Sequence, residues 1–263
     1  MARQSLTRGI DAAIEFSGVG ISLPKRRRRK GVGKRQRLRR LAGDSRREEV
    51  WVLRSASFSI LPGESVAVLG GGLPARQALL RLAAGTLMPD EGNVRRSDTV
   101  IPMVELARAL DRRFTIRQNI YLLGGLLGMT PNQIGAQVAS IAEQAGVDSM
   151  MDRYLGAAPA VTRQRMAWTI AMATQARAYA VDRALVVGER EFRERCWEQL
   201  TEAKRLGTTF LVATDAPRPL REFCDRALVI IDGSLQAAGS VDEAIELLRE
   251  ARAQGKTDEP PLG

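Results

Sequence analysis

A short apolar strand that runs into three glycines constrains the fold of this chain more than any other feature. Residues 66–82 read VAVLGGGLPARQALLRL, in which Gly70, Gly71 and Gly72 separate the strand from good helix formers. The pattern predicts a helix from about residue 75 to residue 84 and is typical of a phosphate-binding loop, whose backbone N–H groups cradle a nucleotide's phosphates. Taken alone, the glycines also fit a tight strand-to-helix turn without a ligand.

The net charge of +10 is concentrated in one segment. Residues 25–47 hold 13 of the 40 lysines and arginines and one acid, so the rest of the chain has 27 basic and 29 acidic residues, a net charge of −2. Clustered like charge with few apolar residues predicts a solvated, disordered insertion. It could also bind anionic lipid or phosphate backbones. Within its first basic run, residues 25–30, the candidate contact residues are Arg26, Arg27, Arg28, Arg29 and Lys30.

The composition of residues 25–47 helps to choose between anionic lipid and nucleic acid as the ligand of this segment. No aromatic side chain lies between residues 17 and 50, so the stacking platform of a single-strand nucleic-acid binder is absent there. We therefore favour anionic lipid over nucleic acid as its contact. The sequence also has no apolar run of signal-peptide or membrane-spanning length, which predicts a cytoplasmic protein with peripheral membrane contact. Cys196 and Cys224 are expected to be reduced thiols.

Strands and helices alternate through most of the chain. Residues 51–64 show the period of a strand, with Trp51, Leu53, Phe58 and Ile60 as its expected buried members. Residues 117–145 predict two helices, the second beginning at Thr130 and Pro131. Further along, we predict helices at 162–176, 190–206, 219–226 and 241–253, strands at 178–182 and 208–214, and a hairpin at 227–239 that turns at Asp232-Gly233.

This order predicts an α/β fold with a mostly parallel sheet, helices on both faces, an antiparallel β part and a helical subdomain at about residues 105–175. The predicted division is an N-terminal strand region at 1–24, the basic insertion at 25–47, a domain at 48–254 and a disordered tail at 255–263.

Three stretches resemble one protein family: TIRQNI (115–120), YAVDRALVVGEREFRERC (179–196) and LREFCDRALVIIDGSLQAAGSVDEAI (220–245). Over roughly residues 50–250 the chain resembles the ATP-binding subunits of ABC transporters, and more narrowly those of capsular polysaccharide and O-antigen exporters. The resemblance implies a P-loop NTPase-like ABC ATPase fold, with ATP and Mg²⁺ as cofactors. It implies a polytopic membrane permease as partner, contacted near residues 105–145, and a homodimer or heterodimer at the inner face of the plasma membrane.

The glycine loop departs from the family pattern GxxxxGK[ST]. In that register Leu73 and Ala75 replace glycines, and Pro74 removes a backbone N–H from a loop that donates N–H groups. Arg76 replaces the lysine that reaches the terminal phosphates, keeping its charge in a different shape. Gln77 replaces the serine or threonine whose hydroxyl binds Mg²⁺, and an amide is a poor substitute there.

Other positions of the implied site are also changed. Asp182 matches the acid that helps to hold Mg²⁺, but it could equally be an acid that caps a neighbouring loop. Arg183 stands in place of the catalytic glutamate and accepts no proton. Thr214 replaces the histidine and Glu189 replaces an aspartate, while residues 159–162 lack the glycine of the signature sequence. The acceptor expected before TIRQNI is not recognisable in MVELARALDRR.

Trp51 lies near the aromatic that would stack on adenine, although it also fits an ordinary strand aromatic. Because phosphoryl transfer needs positioning and charge stabilisation together, we expect a catalytically silent ABC subunit in a polysaccharide-export system. The alternatives are an active ATPase of the same class that uses Arg76, and a nucleic-acid or membrane-surface binding regulator that acts through residues 25–47.

Overall fold

In the computed structural model, which describes residues 12–24, 49–182, 189–213 and 219–257, the chain builds a sheet of nine strands. The strands are β1 (Ile14–Pro24), β2 (Glu49–Ile60), β3 (Ser65–Gly70), β4 (Glu91–Arg96), β5 (Val100–Met103), β6 (Ala178–Asp182), β7 (Thr209–Ala213), β8 (Arg226–Ile231) and β9 (Ser234–Ala238). Their order is β4–β1–β2–β9–β8–β3–β7–β6–β5. Neighbours from β8 to β5 are parallel, whereas β1 pairs antiparallel with β2 and β4, as β9 does with β8. The predicted mostly parallel sheet with an antiparallel part is confirmed.

Seven α-helices surround this sheet in the described ranges. They are α1 (Gly72–Ala84), α2 (Ile116–Leu126), α3 (Pro131–Ala145), α4 (Ala160–Ala173), α5 (Arg190–Arg205), α6 (Leu220–Phe223) and α7 (Val241–Ala253). The strand β6 and the helix α7 have the predicted bounds. The helix predicted over 219–226 is wrong in length, because the backbone becomes extended at Cys224 and β8 begins two residues later.

The two faces of the sheet carry separate hydrophobic cores, as the alternation along β3 shows. Val66 and Val68 pack in the core that contains the leucines of α1, whereas Ala67 and Leu69 pack in the core on the other side. That second core also takes buried residues from α5 and α7. Helices therefore cover both faces, as expected when a parallel sheet is buried on both sides.

The helices α2 and α3 begin where the sequence predicts. Thr115 and Thr130 each cap a helix through a capping box, and Pro131 occupies the first turn of α3. Leu123 and Leu127 are buried, while Leu126 between them is exposed. The helical spacing thus places the leucines mainly in the core, with one edge of α2 facing solvent.

The strand β2 follows its predicted pattern for only part of its length. Leu53 and Ile60 are buried as expected, but Trp51 and Phe58 are only partly buried. Ser55 has a φ of 50°, and this left-handed residue shifts the alternation so that Ala56 becomes the next buried position. The expectation that Trp51 and Phe58 are buried members of the strand is therefore wrong.

The predicted basic insertion, including Arg26–Lys30, lies outside the described residues, but its flanks are placed. Pro24 pairs with Glu49 at the end of the antiparallel β1–β2 ladder. β2 also pairs parallel with β9 through Arg54 and Ser234, and β9 is antiparallel to β8. The amino end of β2 therefore lies at the same edge of the sheet as the carboxyl ends of β8 and β3.

Two further expectations concern the membrane and the thiols. No helix in the described ranges is long and apolar enough to span a bilayer. Cys196 and Cys224 are both free, as predicted, and burial raises the pKa of each thiol to about 12. Both thiols are therefore protonated at neutral pH.

A buried amide organises the loop that leads into the helical subdomain. Asn119 is fully buried, and its Oδ1 accepts a hydrogen bond from the backbone N–H of Asp111 at 2.8 Å. Its Nδ2 donates to the carbonyls of Asp111 and Thr115, each at 2.9 Å, and to that of Phe114 at 3.3 Å. One side chain thus bonds four backbone groups of the 111–115 turn.

We predict that Asn119→Ala lowers the free energy of unfolding by about 1–3 kcal/mol, because it leaves buried donors and acceptors without partners. Chemical denaturation followed by circular dichroism measures the change. Asn132→Ala, at an exposed position of α3, is the matched control and should change stability by less than about 0.5 kcal/mol. Equal effects of the two substitutions would contradict the role given to Asn119.

Candidate functional site

The candidate site lies at the carboxyl edge of the parallel strands. Val68 of β3 and Asp182 of β6 both pair with Ala213 of the intervening β7. Asp182 is therefore level with Val68, two residues before Gly70. The sheet register thus brings the glycine turn and the acid together.

The glycine turn has a backbone that only glycine adopts easily. Gly70, Gly71 and Gly72 have φ values of 77°, 69° and 65°, in the left-handed region that β-carbons disfavour. A Cβ at Gly70 would lie 2.3 Å from the carbonyl oxygen of Ile230, and one at Gly71 would lie 2.5 Å from the Ile230 side chain. The turn is therefore pressed against β8.

The helix α1 begins at Gly72, three residues before the predicted start. Three consecutive left-handed residues complete the reversal of the chain, so Leu73 and Pro74 already lie in the first helical turn. Proline is tolerated there because the first N–H groups of a helix have no partner within the helix. Pro74 nevertheless removes one N–H from the set that a phosphate would contact.

Arg76 is turned inward beneath the glycine turn. The residue is only 3% exposed, and its Nη1 donates a hydrogen bond to the carbonyl oxygen of Gly70 at 3.3 Å. The cation at the expected lysine position thus contacts the backbone of its own loop.

Gln77 contacts the acid of the site directly. Its Nε2 donates a hydrogen bond to Oδ2 of Asp182 at 3.0 Å. The structure therefore brings together two of the predicted site residues, one from α1 and one from the end of β6. A carboxylate only accepts hydrogen bonds, so the amide presents its NH₂ group to it.

Glu105 is a second carboxylate at this edge that the sequence interpretation missed. It follows β5 by two residues, has a φ of 52°, and accepts from Arg81 of α1 at 3.0 Å and from Arg108 at 2.8 Å. Glu105 lies within the stretch MVELARALDRR, where no acceptor was recognised. A carboxylate directly after the apolar run VIPMV was the signal that could have identified it.

Trp51 has neighbours of its own in β1 and β2. Its ring lies 5.1 Å from the Arg54 guanidinium carbon, which is cation–π distance, and a Cβ at Gly20 would lie 2.9 Å from the ring. The ring of this β2 residue therefore lies close over Gly20 of the paired strand β1. A role in stacking on adenine stays a prediction.

The remaining predicted positions are less informative. Arg183 and Thr214 lie outside the described residues. Glu189 forms an ion pair with Arg165 at 2.9 Å, and Pro159 precedes α4 without a side-chain cap. Glu189 thus links the start of α5 to α4.

The residues present do not fit a magnesium site. Mg²⁺ needs oxygen ligands at about 2.0–2.1 Å in octahedral geometry, whereas Asp182 Oδ2 already accepts from the Gln77 amide. Among the described residues, no group of three or more histidine, cysteine, aspartate or glutamate side chains is placed to hold a metal ion.

Solved structures define the class of fold. An ATP-binding cassette solved as a dimer in a post-hydrolysis state with ADP and Pi matches with a TM-score of 0.66 at 15% identity, covering 87% of this chain and 98% of that one. The cbiO1 protein of Clostridium perfringens, part of the ABC transporter complex cbiONQ, matches with a TM-score of 0.61 at 14% identity, covering 93% and 96%. The chain has the ABC ATPase fold.

Curated relatives define the group within that class. The ABC transporter protein AbcA of Aeromonas salmonicida is 27% identical over 187 residues, which are 71% of this chain and 61% of the relative. The O-antigen export system ATP-binding protein RfbB of Klebsiella pneumoniae is 26% identical over 76% of this chain and 82% of its own length. The teichoic acids export ATP-binding protein TagH of Listeria monocytogenes is 25% identical over 76% and 59%.

The chain is thus a homologue of the ABC ATP-binding proteins of O-antigen and teichoic acid export, as the resemblance implied. Its match spans about three fifths of the AbcA and TagH relatives. No protein-family model matches the chain.

We predict that Gly70→Ala lowers the free energy of unfolding by about 3 kcal/mol or more, from its left-handed φ and its overlap with the Ile230 carbonyl. Gly125→Ala is the matched control, because Gly125 lies inside α2 and a Cβ there meets nothing within 4 Å. That substitution should be neutral or stabilise by about 0.5–1 kcal/mol. Denaturant titrations measure the free energy of unfolding of both variants. A Gly70→Ala variant as stable as the wild-type chain would contradict the close approach of Gly70 to the Ile230 carbonyl.

Proposed function

We propose that this chain is a non-hydrolysing ATP-binding-cassette subunit of a polysaccharide-export ABC transporter. It pairs with a polytopic membrane permease and with a second ATP-binding subunit, either a copy of itself or a competent ATPase, at the inner face of the plasma membrane. The ABC ATPase fold and the O-antigen and teichoic acid export relatives support the transporter class.

The inward position of Arg76 is the observation that carries the non-hydrolysing part. Phosphoryl transfer depends on cations placed where charge develops on the phosphates. At 3% exposure, the Arg76 guanidinium is withdrawn from solvent and donates to the loop's own Gly70 carbonyl. Moving it toward a phosphate would require breaking this contact and reopening the turn. The replacement of the catalytic glutamate by Arg183 points the same way.

We predict that the purified chain hydrolyses ATP at the rate of a buffer blank, alone and with its permease, because the cation and the base of the reaction are missing. A phosphate-release assay measures the rate, with Asp182→Asn as the control for contaminating ATPases. Turnover of about 1 s⁻¹ or more that is lost in Asp182→Asn would contradict the proposal and favour the active-ATPase alternative.

The helical subdomain offers a surface for the permease. Phe114, Tyr121, Leu126 and Tyr154 are large apolar or aromatic residues that are 40–66% exposed. Phe114 and Tyr121 line a shallow pocket of about 480 Å³ beside α2. Tyr154 forms an isolated antiparallel β-bridge with Thr115, the residue that follows Phe114. Apolar residues clustered on a surface mark interaction sites, and aromatic residues often dominate such contacts.

Charged side chains lie at this pocket and next to it in the chain. Arg117 lines it and pairs with Asp152 at 3.0 Å. Arg113 precedes the pocket residue Phe114, and its guanidinium holds the pKa of Asp111 at about 2, so Asp111 is ionised at every physiological pH. Both ion pairs are exposed and contribute little to stability, which leaves these side chains free to exchange partners when a second protein docks.

We predict that the double substitution Phe114→Ser/Tyr121→Ser weakens binding to native membranes that contain the permease by roughly tenfold or more, through loss of two aromatic anchors. Sedimentation with inverted membrane vesicles measures the binding. Leu206→Ser is the matched control, since Leu206 is 70% exposed at the end of α5. Binding that survives the double substitution but is lost on deletion of residues 25–47 would favour the alternative of a membrane-surface regulator.

A further inference from the structure

We propose that the Gln77 amide is a built-in replacement for the divalent cation of this site, so that ligand binding by the chain is independent of Mg²⁺. The inference rests on the proposed function only in taking the glycine turn as a former nucleotide site. Its basis is the contact between Gln77 Nε2 and Asp182 Oδ2 at 3.0 Å, which joins α1 to the end of β6.

The amide and a cation compete for the same carboxylate oxygen. A hydroxyl at position 77 would offer an oxygen lone pair to a metal ion, whereas the NH₂ group of Gln77 presents hydrogen atoms. Mg²⁺ on Asp182 Oδ2 would have to sit at about 2.0–2.1 Å, in the direction from which the amide now donates. The amide also carries a partial positive charge toward the carboxylate. It therefore supplies part of what a cation would supply.

Glu105, the second carboxylate at this edge, also accepts hydrogen bonds from protein donors. Arg81 lies one helical turn beyond Gln77 on α1, and it donates to Oε2 of Glu105 at 3.0 Å. Arg108 donates to that same oxygen at 2.8 Å. One face of α1 thus places donors against both acids, and charged donors form the stronger hydrogen bonds. A cation arriving at Oδ2 of Asp182 or at Oε2 of Glu105 would have to displace a protein donor.

The hydrogen bond between Gln77 and Asp182 therefore also has a structural role, because it joins α1 to the end of β6. In a metal-dependent site, the strand-end acid and the loop helix are bridged by the ion and its ligands. In this chain the bridge is made by a side chain that is always present. The site is assembled without metal, and Mg²⁺ should neither tighten ligand binding nor stabilise the fold.

Electron paramagnetic resonance of Mn²⁺ tests the inference on the full chain, with and without ADP. We expect superimposable Mn²⁺ titrations for the wild-type chain and Asp182→Asn. Gln77→Ser, which removes the amide and leaves a hydroxyl, should bind Mn²⁺ in the presence of ADP about tenfold more tightly than Gln77→Ser/Asp182→Asn. Gln77→Met keeps the length without the donor, and it should gain no Mn²⁺ binding while its thermal midpoint falls below that of wild type.

Two results would overturn the inference. One is saturable Mn²⁺ binding by the wild-type chain that Asp182→Asn removes. The other is a folded Gln77→Ser variant, verified by circular dichroism, whose titration equals that of its double variant. Mn²⁺ binding at Asp182 without ATP turnover would contradict this inference alone, whereas turnover that persists in EDTA would contradict the proposed function alone.

Discussion

The close approach of Gly70 to β8 is the constraint on which the candidate site depends. Its α-carbon lies where a Cβ would meet the Ile230 carbonyl oxygen at 2.3 Å, so no other residue type fits without moving a strand. Because β3 turns this sharply, α1 starts at Gly72, at the carboxyl edge of the sheet, and packs its leucines on one face. The direction of α1 then decides which of its side chains reach the edge. Arg76 reaches the loop backbone, while Gln77 and Arg81 reach the acids.

Several polar groups at this edge are bonded to other groups of the protein. Burying a charge or leaving a buried polar group unbonded is costly, so such groups persist where donors and acceptors are paired. Asp182 receives the Gln77 amide and Glu105 receives two guanidinium groups. A ligand that needed any of these groups would first have to compensate for the contact it broke. These contacts therefore join α1 to the end of β6 and to the residues that follow β5.

The sequence predicted the frame of the molecule better than its polar details. Strong signals such as the apolar strand before Gly70, the Thr130–Pro131 helix start and the Asp232-Gly233 turn depend on neighbouring residues, and the structure has all three. Glu105 was missed because its role depends on Arg81, which is 24 residues away along the chain. Phe58 lies in phase with the buried Ala56 and Ile60 but is only partly buried, because its ring stacks on Phe16 of the paired strand β1, a contact that the local pattern of β2 does not contain.

The frame of the candidate site and its polar contacts are supported by different interactions. The sheet edge and the glycine turn are held by buried β3 residues and by a backbone approach that tolerates no Cβ, and substitutions there carry a direct cost in stability. The residues that would touch phosphate or metal contribute little to that packing, so they can change while the fold remains. Once Arg76 and Gln77 bond to Gly70 and Asp182, they contribute to stability themselves. Replacing either residue would lose these contacts, so both side chains contribute to the stability of the glycine turn and of its link to β6.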